Sequence, residues 1–168
     1  DIDESVLPQE DPTAYVLRMA EEKAAAGFQQ LSQQQQQNTV VLAADTTVVC
    51  DGVILAKPES LNHSKAILTQ LSGRQHVVMT AIAFHSQDKM HNQVVTTEVA
   101  FRPLSEAEIE AYWHTGEPQD KAGSYGIQGL AAIFVERIQG SYSNVVGLPL
   151  CETAESLNMF DVPLWQDQ

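Results

Sequence analysis

The segment VVLAADTTVVCDGVILAKP, residues 40 to 58, restricts the possible folds of this chain more than any other. Two runs rich in Val, Ile, Leu and Thr flank Asp51-Gly52, a dipeptide suited to the positive backbone angles of a type I′ turn. The pattern predicts strands over residues 39–50 and 53–57, paired antiparallel. A two-residue turn sets Cys50 opposite Val53 and Thr46 opposite Lys57, which brings Asp45 beside Lys57 and Pro58 at the open end of the hairpin. Strict alternation would put Asp45 and Lys57 on opposite faces, so this reading requires a strand end or a bulge. Asp45 itself is the anomaly, because a carboxylate inside an apolar strand is costly unless it is hydrogen-bonded, protonated or holding a cation.

Helical and extended patterns alternate along the rest of the chain. In DPTAYVLRMAEEKAAAG, Asp11 caps a helix and Pro12 suits its first position, while Tyr15, Met19 and Ala20 share a face. Gly27 is the expected stop, which leaves Lys23 in the last turn. Residues 29–38 read as a polar, glutamine-rich insertion before the first strand. SLNHSKAILTQLSG predicts a second helix with Ala66, Ile67, Leu68 and Leu71 on its apolar side and Gly73 at its end. HVVMTAIAFHS and NQVVTTEVAFRP are long strands joined by a turn around Gln87 to Lys89, and SEAEIEAYWHTG is a helix with Ser105 and Glu108 in capping-box spacing and Gly116 as its stop. After the irregular EPQDKAGSYGIQG come a strand, AAIFVERI, a turn at Gly140-Ser141 and a helix beginning near Pro149. This intermixing predicts an α/β domain with a mixed sheet, a single unit over residues 1–168.

A formal net charge of −13 argues against a protein that tracks nucleic-acid polymers, which draw on clustered Lys and Arg. No apolar run approaches the length needed to cross a bilayer, and the acidic opening DIDESVLPQEDP is unlike a signal or transit peptide. A cytoplasmic location is expected, with Cys50 and Cys151 as reduced thiols.

Two places hold candidate chemistry. Asp45, with Lys57 on the same hairpin and an acidic cluster at Asp1, Asp3 and Glu4, is the kind of set that binds Mg²⁺ or Mn²⁺ together with phosphate, although a strand-end aspartate bonded to backbone N–H groups has the same sequence. The second is DKAGSYGIQG, where Gly123, Gly126 and Gly129 permit a loop whose backbone N–H groups face an anion or a flat ring, or an ordinary glycine-rich connection. Gln128 presents a donor and an acceptor in one plane, which matches the N3–H and O4 edge of uracil or thymine and mismatches cytosine. Asp120 and Lys121 either pair or are solvated. The five histidines are scattered, and no G-x-S-x-G elbow, Walker loop or G-x-G-x-x-G turn is present.

The motifs AADTTVV, DGVILAKP, LSGRQHVVMTAIA, GEPQDKAGSYGIQG and GSYSNVVGLPL occur in that order, and together the chain from Asp1 to about Phe160 resembles the Maf nucleotide pyrophosphatases. The resemblance implies an elongated, mixed-sheet α/β fold of the Maf/ITPase-like kind around a central cleft, commonly a homodimer. It implies cleavage of nucleoside triphosphates to the monophosphate and pyrophosphate with a divalent metal, by a metal-bound water attacking the α-phosphorus. Carried over by motif, Asp45 matches the catalytic aspartate, as general base or metal ligand. Glu4 matches the acidic metal-site residue, Lys23 and Lys57 the triphosphate-binding lysines, and Thr46 and Gln128 the base-selecting positions. Thr after the Asp, with Gln in the glycine loop, resembles the branch acting on dTTP and UTP, extending to modified pyrimidine nucleotides, rather than the branch acting on methylated GTP. Gln128 also disfavours deaminated purine triphosphates. The rival of a different class is a non-catalytic nucleotide-binding regulator of cell division and septum formation. The family pattern opens with a strand and a Ser-x-Ser-Pro-Arg-Arg turn that this sequence does not contain, so an N-terminal truncation is the expectation.

Overall fold

Asp11 starts the first helix, α1 (Pro12–Gln29), by accepting hydrogen bonds on its side chain from the N–H groups of Thr13 and Ala14. The computed structural model describes residues 2–165. Val16, Met19, Ala20, Ala24 and Phe28 form the buried stripe of α1. The helix does not stop at Gly27 as its glycine suggests. It continues to Gln29 because Phe28 is buried and stacked on His85, with ring centroids 4.5 Å apart. Gly27 serves close approach instead, since a Cβ there would lie 3.1 Å from Val41 Cγ1. A four-residue helical turn, α2 (Gln33–Gln36), follows within the glutamine-rich stretch, held by a capping box between Ser32 and Gln35.

The hairpin forms as its turn dictates: β1 (Val41–Cys50) and β2 (Val53–Leu55) pair antiparallel with Cys50 opposite Val53 and φ of 52° at Asp51 and 77° at Gly52. Pairing ends at Val48 opposite Leu55, so Thr46 does not face Lys57 in a ladder. Pro58 has no N–H and biases Lys57 toward an extended backbone leaving the sheet. α3 (Leu61–Leu71), capped by Ser60, buries Ile67, Leu68 and Leu71, while Ala66 is exposed rather than part of the apolar side. β3 (Gln75–His85) and β4 (Met90–Phe101) are the long central strands, and α4 (Glu106–His114) has the expected Ser105–Glu108 capping box.

Three short 3₁₀ segments follow, Glu117–Asp120, Ala122–Ser124 and Leu130–Phe134, then β5 (Val135–Gln139), α5 (Tyr142–Val146) and α6 (Leu150–Met159). The strand expected over AAIFVERI thus begins at Val135. Its first half is 3₁₀ because Ala131 and Phe134, three residues apart, are both buried on one side of such a turn. α5, capped by Ser141, has no counterpart in the sequence expectation, which passes from a turn directly to the last helix.

The fold is of the α/β class, but its sheet, expected to be mixed, runs β2-β1-β3-β4-β5 with each neighbouring pair antiparallel. One face carries α1 over a small-residue core of Val16, Ala20, Ala24, Ala81 and Ala83. The other holds the main core, where Val48, Val78, Val99 and Phe101 of the sheet meet Leu68 and Leu71 of α3, Ile109 and Tyr112 of α4, and Tyr125 and Phe134 beyond them. Among the described residues no helix is long and apolar enough to cross a membrane.

Candidate active site

Asp45 projects from the face of β1 that α1 covers. Lys23 of α1 meets it there, with Nζ 2.6 Å from Asp45 Oδ1 and 2.8 Å from Glu4 Oε1. One ammonium therefore bridges two carboxylates. Burial pushes the Asp45 carboxyl above its usual range, and the Lys23 charge opposes this without reversing it. Burial alone would lower the Lys23 ammonium, but its hydrogen bonds to Asp45 and Glu4 raise it. Lys23 in turn holds Glu4 below the ordinary range for a glutamate. The segment that carries Glu4 is strapped to α1: Tyr15 Oη donates to the Glu4 carbonyl at 3.0 Å, and Arg18 donates to the Ser5 carbonyl at 2.9 Å and pairs with Glu10 at 2.7 Å. Asp3 is committed to the Ser5 N–H, and Asp1 lies outside the described residues.

A cavity of about 580 Å³ opens on the stretch of β1 that β2 leaves uncovered. Asp45, Thr46, Lys57, Glu117, Lys121 and Gln128 all line it. The termination of β2 at Leu55 is the strand end that brings Asp45 and Lys57 to one space. Thr46 Oγ1 lies 2.8 Å from Thr80 Oγ1, which donates to the Asn144 carbonyl at 2.9 Å, while Asn144 Nδ2 reaches Val78 O and Thr97 Oγ1. This buried polar chain fixes the side of Thr46 away from the cleft. Gln128 is exposed and, among the described residues, its side chain has no hydrogen-bond partner. Asp120 and Lys121 do pair, at 3.3 Å, but both are exposed, so the contact contributes little. A second recess of about 790 Å³, between residues 36–40 and 157–163, contains none of the candidate residues.

The loop that carries Gln128 is strained at its start. Gly123 has φ of 67°, and a Cβ there would lie 2.8 Å from the Val48 side chain. Ser124 also has positive φ, 63°, and is held by a 2.5 Å contact between its hydroxyl and that of Ser64 on α3.

The donor set suits a hard divalent cation in part. Glu4 and Asp45 supply two carboxylates that already converge on one positive charge, and among the described residues no group of three or more His, Cys, Asp or Glu forms a closed metal cage. Two carboxylates completed by substrate phosphate and water is the pattern of Mg²⁺ rather than of a structural zinc. Cys50 and Cys151 are free thiols, the first buried and the second exposed.

A family profile described as Maf-like protein matches residues 1–160. The chain belongs to the Maf family. Among its relatives is a protein of Hahella chejuensis named dTTP/UTP pyrophosphatase, 52% identical over 167 residues that cover 99% of this chain and 82% of that protein. Proteins with the same name in Vibrio vulnificus and Colwellia psychrerythraea are 52% and 54% identical, covering 95% and 94% of this chain and 84% and 74% of their own lengths.

On this Maf fold, Asp45, Thr46, Lys57 and Gln128 share the cleft, and Lys23 and Glu4 join Asp45 from the α1 side. Sequence reading missed three neighbours: Tyr15, Tyr112 and Glu117. Glu117 lies inside the quoted GEPQDKAGSYGIQG motif, but its partners Leu130 and Ala131 are thirteen and fourteen residues away. No spacing rule marks such a contact.

Proposed function

We propose that this protein is a nucleoside triphosphate pyrophosphatase that hydrolyses dTTP and UTP to the monophosphate and pyrophosphate. The observation that carries the reading is the cleft itself, in which a lysine-bridged carboxylate pair and the exposed planar amide of Gln128 line or adjoin one cavity. The names of the relatives support the same substrates.

In this reading the amide of Gln128 pairs with the N3–H and O4 edge of the pyrimidine, and Thr46 packs beside the base. Lys57, exposed at the cleft, and Lys23 offer positive charge to the triphosphate of a protein that is otherwise strongly acidic. Asp45 Oδ1 and Glu4 Oε1 would hold Mg²⁺ or Mn²⁺, which when bound supplies charge to the phosphate oxygens and acidifies water. Asp45 Oδ2, free of protein donors among the described residues, accepts the proton of the water that attacks the α-phosphorus, and its burial-raised basicity suits that task. We further propose a homodimer acting in the cytoplasm on free nucleotides. Turnover measured across the common nucleoside triphosphates and their methylated and deaminated forms, with product identification, tests the reading. Release of pyrophosphate from UTP and dTTP ahead of the others is the expected outcome, and orthophosphate release or a purine preference refutes it.

A further inference from the structure

Glu117 is a cleft residue with no part in the chemistry above, yet its carboxylate accepts three hydrogen bonds. Tyr112 Oη donates to Oε1 at 2.7 Å, the Leu130 N–H donates to Oε2 at 2.9 Å and the Ala131 N–H to Oε1 at 3.4 Å. The same Tyr112 hydroxyl accepts from the Gly126 N–H at 3.2 Å. Gln128 sits midway between the two backbone sites so held, Gly126 and Leu130. The turn between them is closed by its own hydrogen bond from Gly129 N–H to Gly126 O at 3.1 Å. The carboxylate occupies the space a side chain at Gly129 would need, because a Cβ built there falls within the Glu117 carboxyl group. Burial would raise the Glu117 carboxyl, but the bonds from Leu130, Tyr112 and Ala131 outweigh it and keep the group ionised at neutral pH.

We propose that Glu117, together with Tyr112, is the positioning residue that sets the nucleobase preference by fixing the backbone on both sides of Gln128. The inference rests on the pyrimidine reading of Gln128 given above and goes beyond it by naming what holds that amide in register. Gln128 is exposed and, among the described residues, its side chain has no hydrogen-bond partner, so the placement of its amide depends on the loop. A planar pair of hydrogen bonds to a base tolerates little displacement, and a misplacement of about 1 Å can cost roughly a hundredfold. Glu117 reaches no reacting atom in this scheme, and its effect is confined to the base.

The test uses calorimetric Kd values for the non-hydrolysable analogues α,β-imido-UTP and α,β-imido-CTP, with inorganic tripolyphosphate as a probe of the phosphate half alone. Glu117→Ala should reduce the ratio of uridine to cytidine affinity by about tenfold or more, the range of a lost bidentate base contact. Tripolyphosphate binding should stay within about twofold of the parent, since no phosphate-side group is touched. Tyr112→Phe, a milder change that keeps the ring packing, should move the ratio in the same direction and guards against misfolding of the first variant. In a Gln128→Ala background, Glu117→Ala should leave the ratio unchanged, because both changes act through one amide. A preserved ratio in both single variants, an equal loss for all three ligands, or a further loss in the Gln128→Ala background overturns the proposal. A uridine preference that survives Gln128→Ala overturns it together with the reading of Gln128. Absence of pyrophosphate release from the parent, with the ratios behaving as stated, leaves this inference standing and refutes only the enzymatic reading.

Discussion

Lys23 Nζ and Asp45 Oδ1 lie 2.6 Å apart across the contact between α1 and β1, and the same ammonium reaches Glu4. A positive charge held between two carboxylates explains how β1 accommodates an aspartate at a position with only 15% of its side chain exposed. It also places three charged groups where a triphosphate and a cation would compete for them.

Asp45→Asn should abolish turnover without weakening the fold. The Asp45 carboxyl is raised by burial, so its folded pKa exceeds its unfolded one. Such a group stabilises the fold fully below its unfolded pKa, and that contribution is lost as pH rises through the folded pKa. At neutral pH the ionised form therefore brings no net gain, and Lys23 retains Glu4 as a partner in the variant. Pyrophosphate release should fall by roughly 10²–10⁴-fold, with a melting temperature equal to or above that of the parent. Retained turnover at a normal melting temperature would remove Asp45 from the chemistry.

Activity should require Mg²⁺ or Mn²⁺ and vanish in excess chelator. Because Glu4 is one of the two carboxylates that Lys23 bridges, Glu4→Gln should raise the half-saturating metal concentration by about tenfold or more, a change read from metal titrations of turnover. Undiminished activity in chelator contradicts the metal assignment, and an unchanged metal requirement in the variant contradicts the role of Glu4.

Gln128→Glu replaces the donor that faces O4 with a carboxylate oxygen. The loss for UTP and dTTP relative to CTP should be about 1–3 kcal/mol, as for other bidentate base contacts. Ratios of kcat/KM for the three nucleotides report it directly. Equal ratios in parent and variant would show that the base is read elsewhere.

Stability should fall on mild acidification, and His76 is a principal cause. Its ring is 2% exposed, bonds Tyr125 Oη at 2.8 Å through Nε2, and leaves Nδ1 without a partner among the described residues. Burial lowers it from 6.5 to about 4. The unfolded chain thus binds the proton first as pH falls, so the contribution is intact above the unfolded value and is lost between pH 6.5 and about 4. That window is worth up to about 3 kcal/mol. Chemical denaturation at a series of pH values should show a steep decline over this range in the parent and a shallower one in His76→Phe. Parallel pH profiles would assign the acid sensitivity to other groups.

Much of this molecule follows from interactions within a few residues along the chain. Asp51-Gly52 specifies the hairpin and its register near the turn, Ser105 and Glu108 specify a helix start, and Asp11 with Pro12 specifies another, because turns and caps join groups two or three positions apart. The ordered motifs were enough for the family, and the chemistry of one amide was enough to suggest a pyrimidine. The tertiary structure decided where those groups meet. Lys23 and Asp45 are 22 residues apart and Thr46 and Thr80 are 34 apart, and both contacts depend on which strand neighbours β1 and how closely α1 approaches it. Phe28 extended a helix past its glycine by packing on His85, and burial of Ala131 and Phe134 turned the first half of an expected strand into 3₁₀. In each case the burial of a side chain against a distant element outweighed a local preference, since a buried apolar group is worth about 1.5–3 kcal/mol and a local propensity about 1 or less.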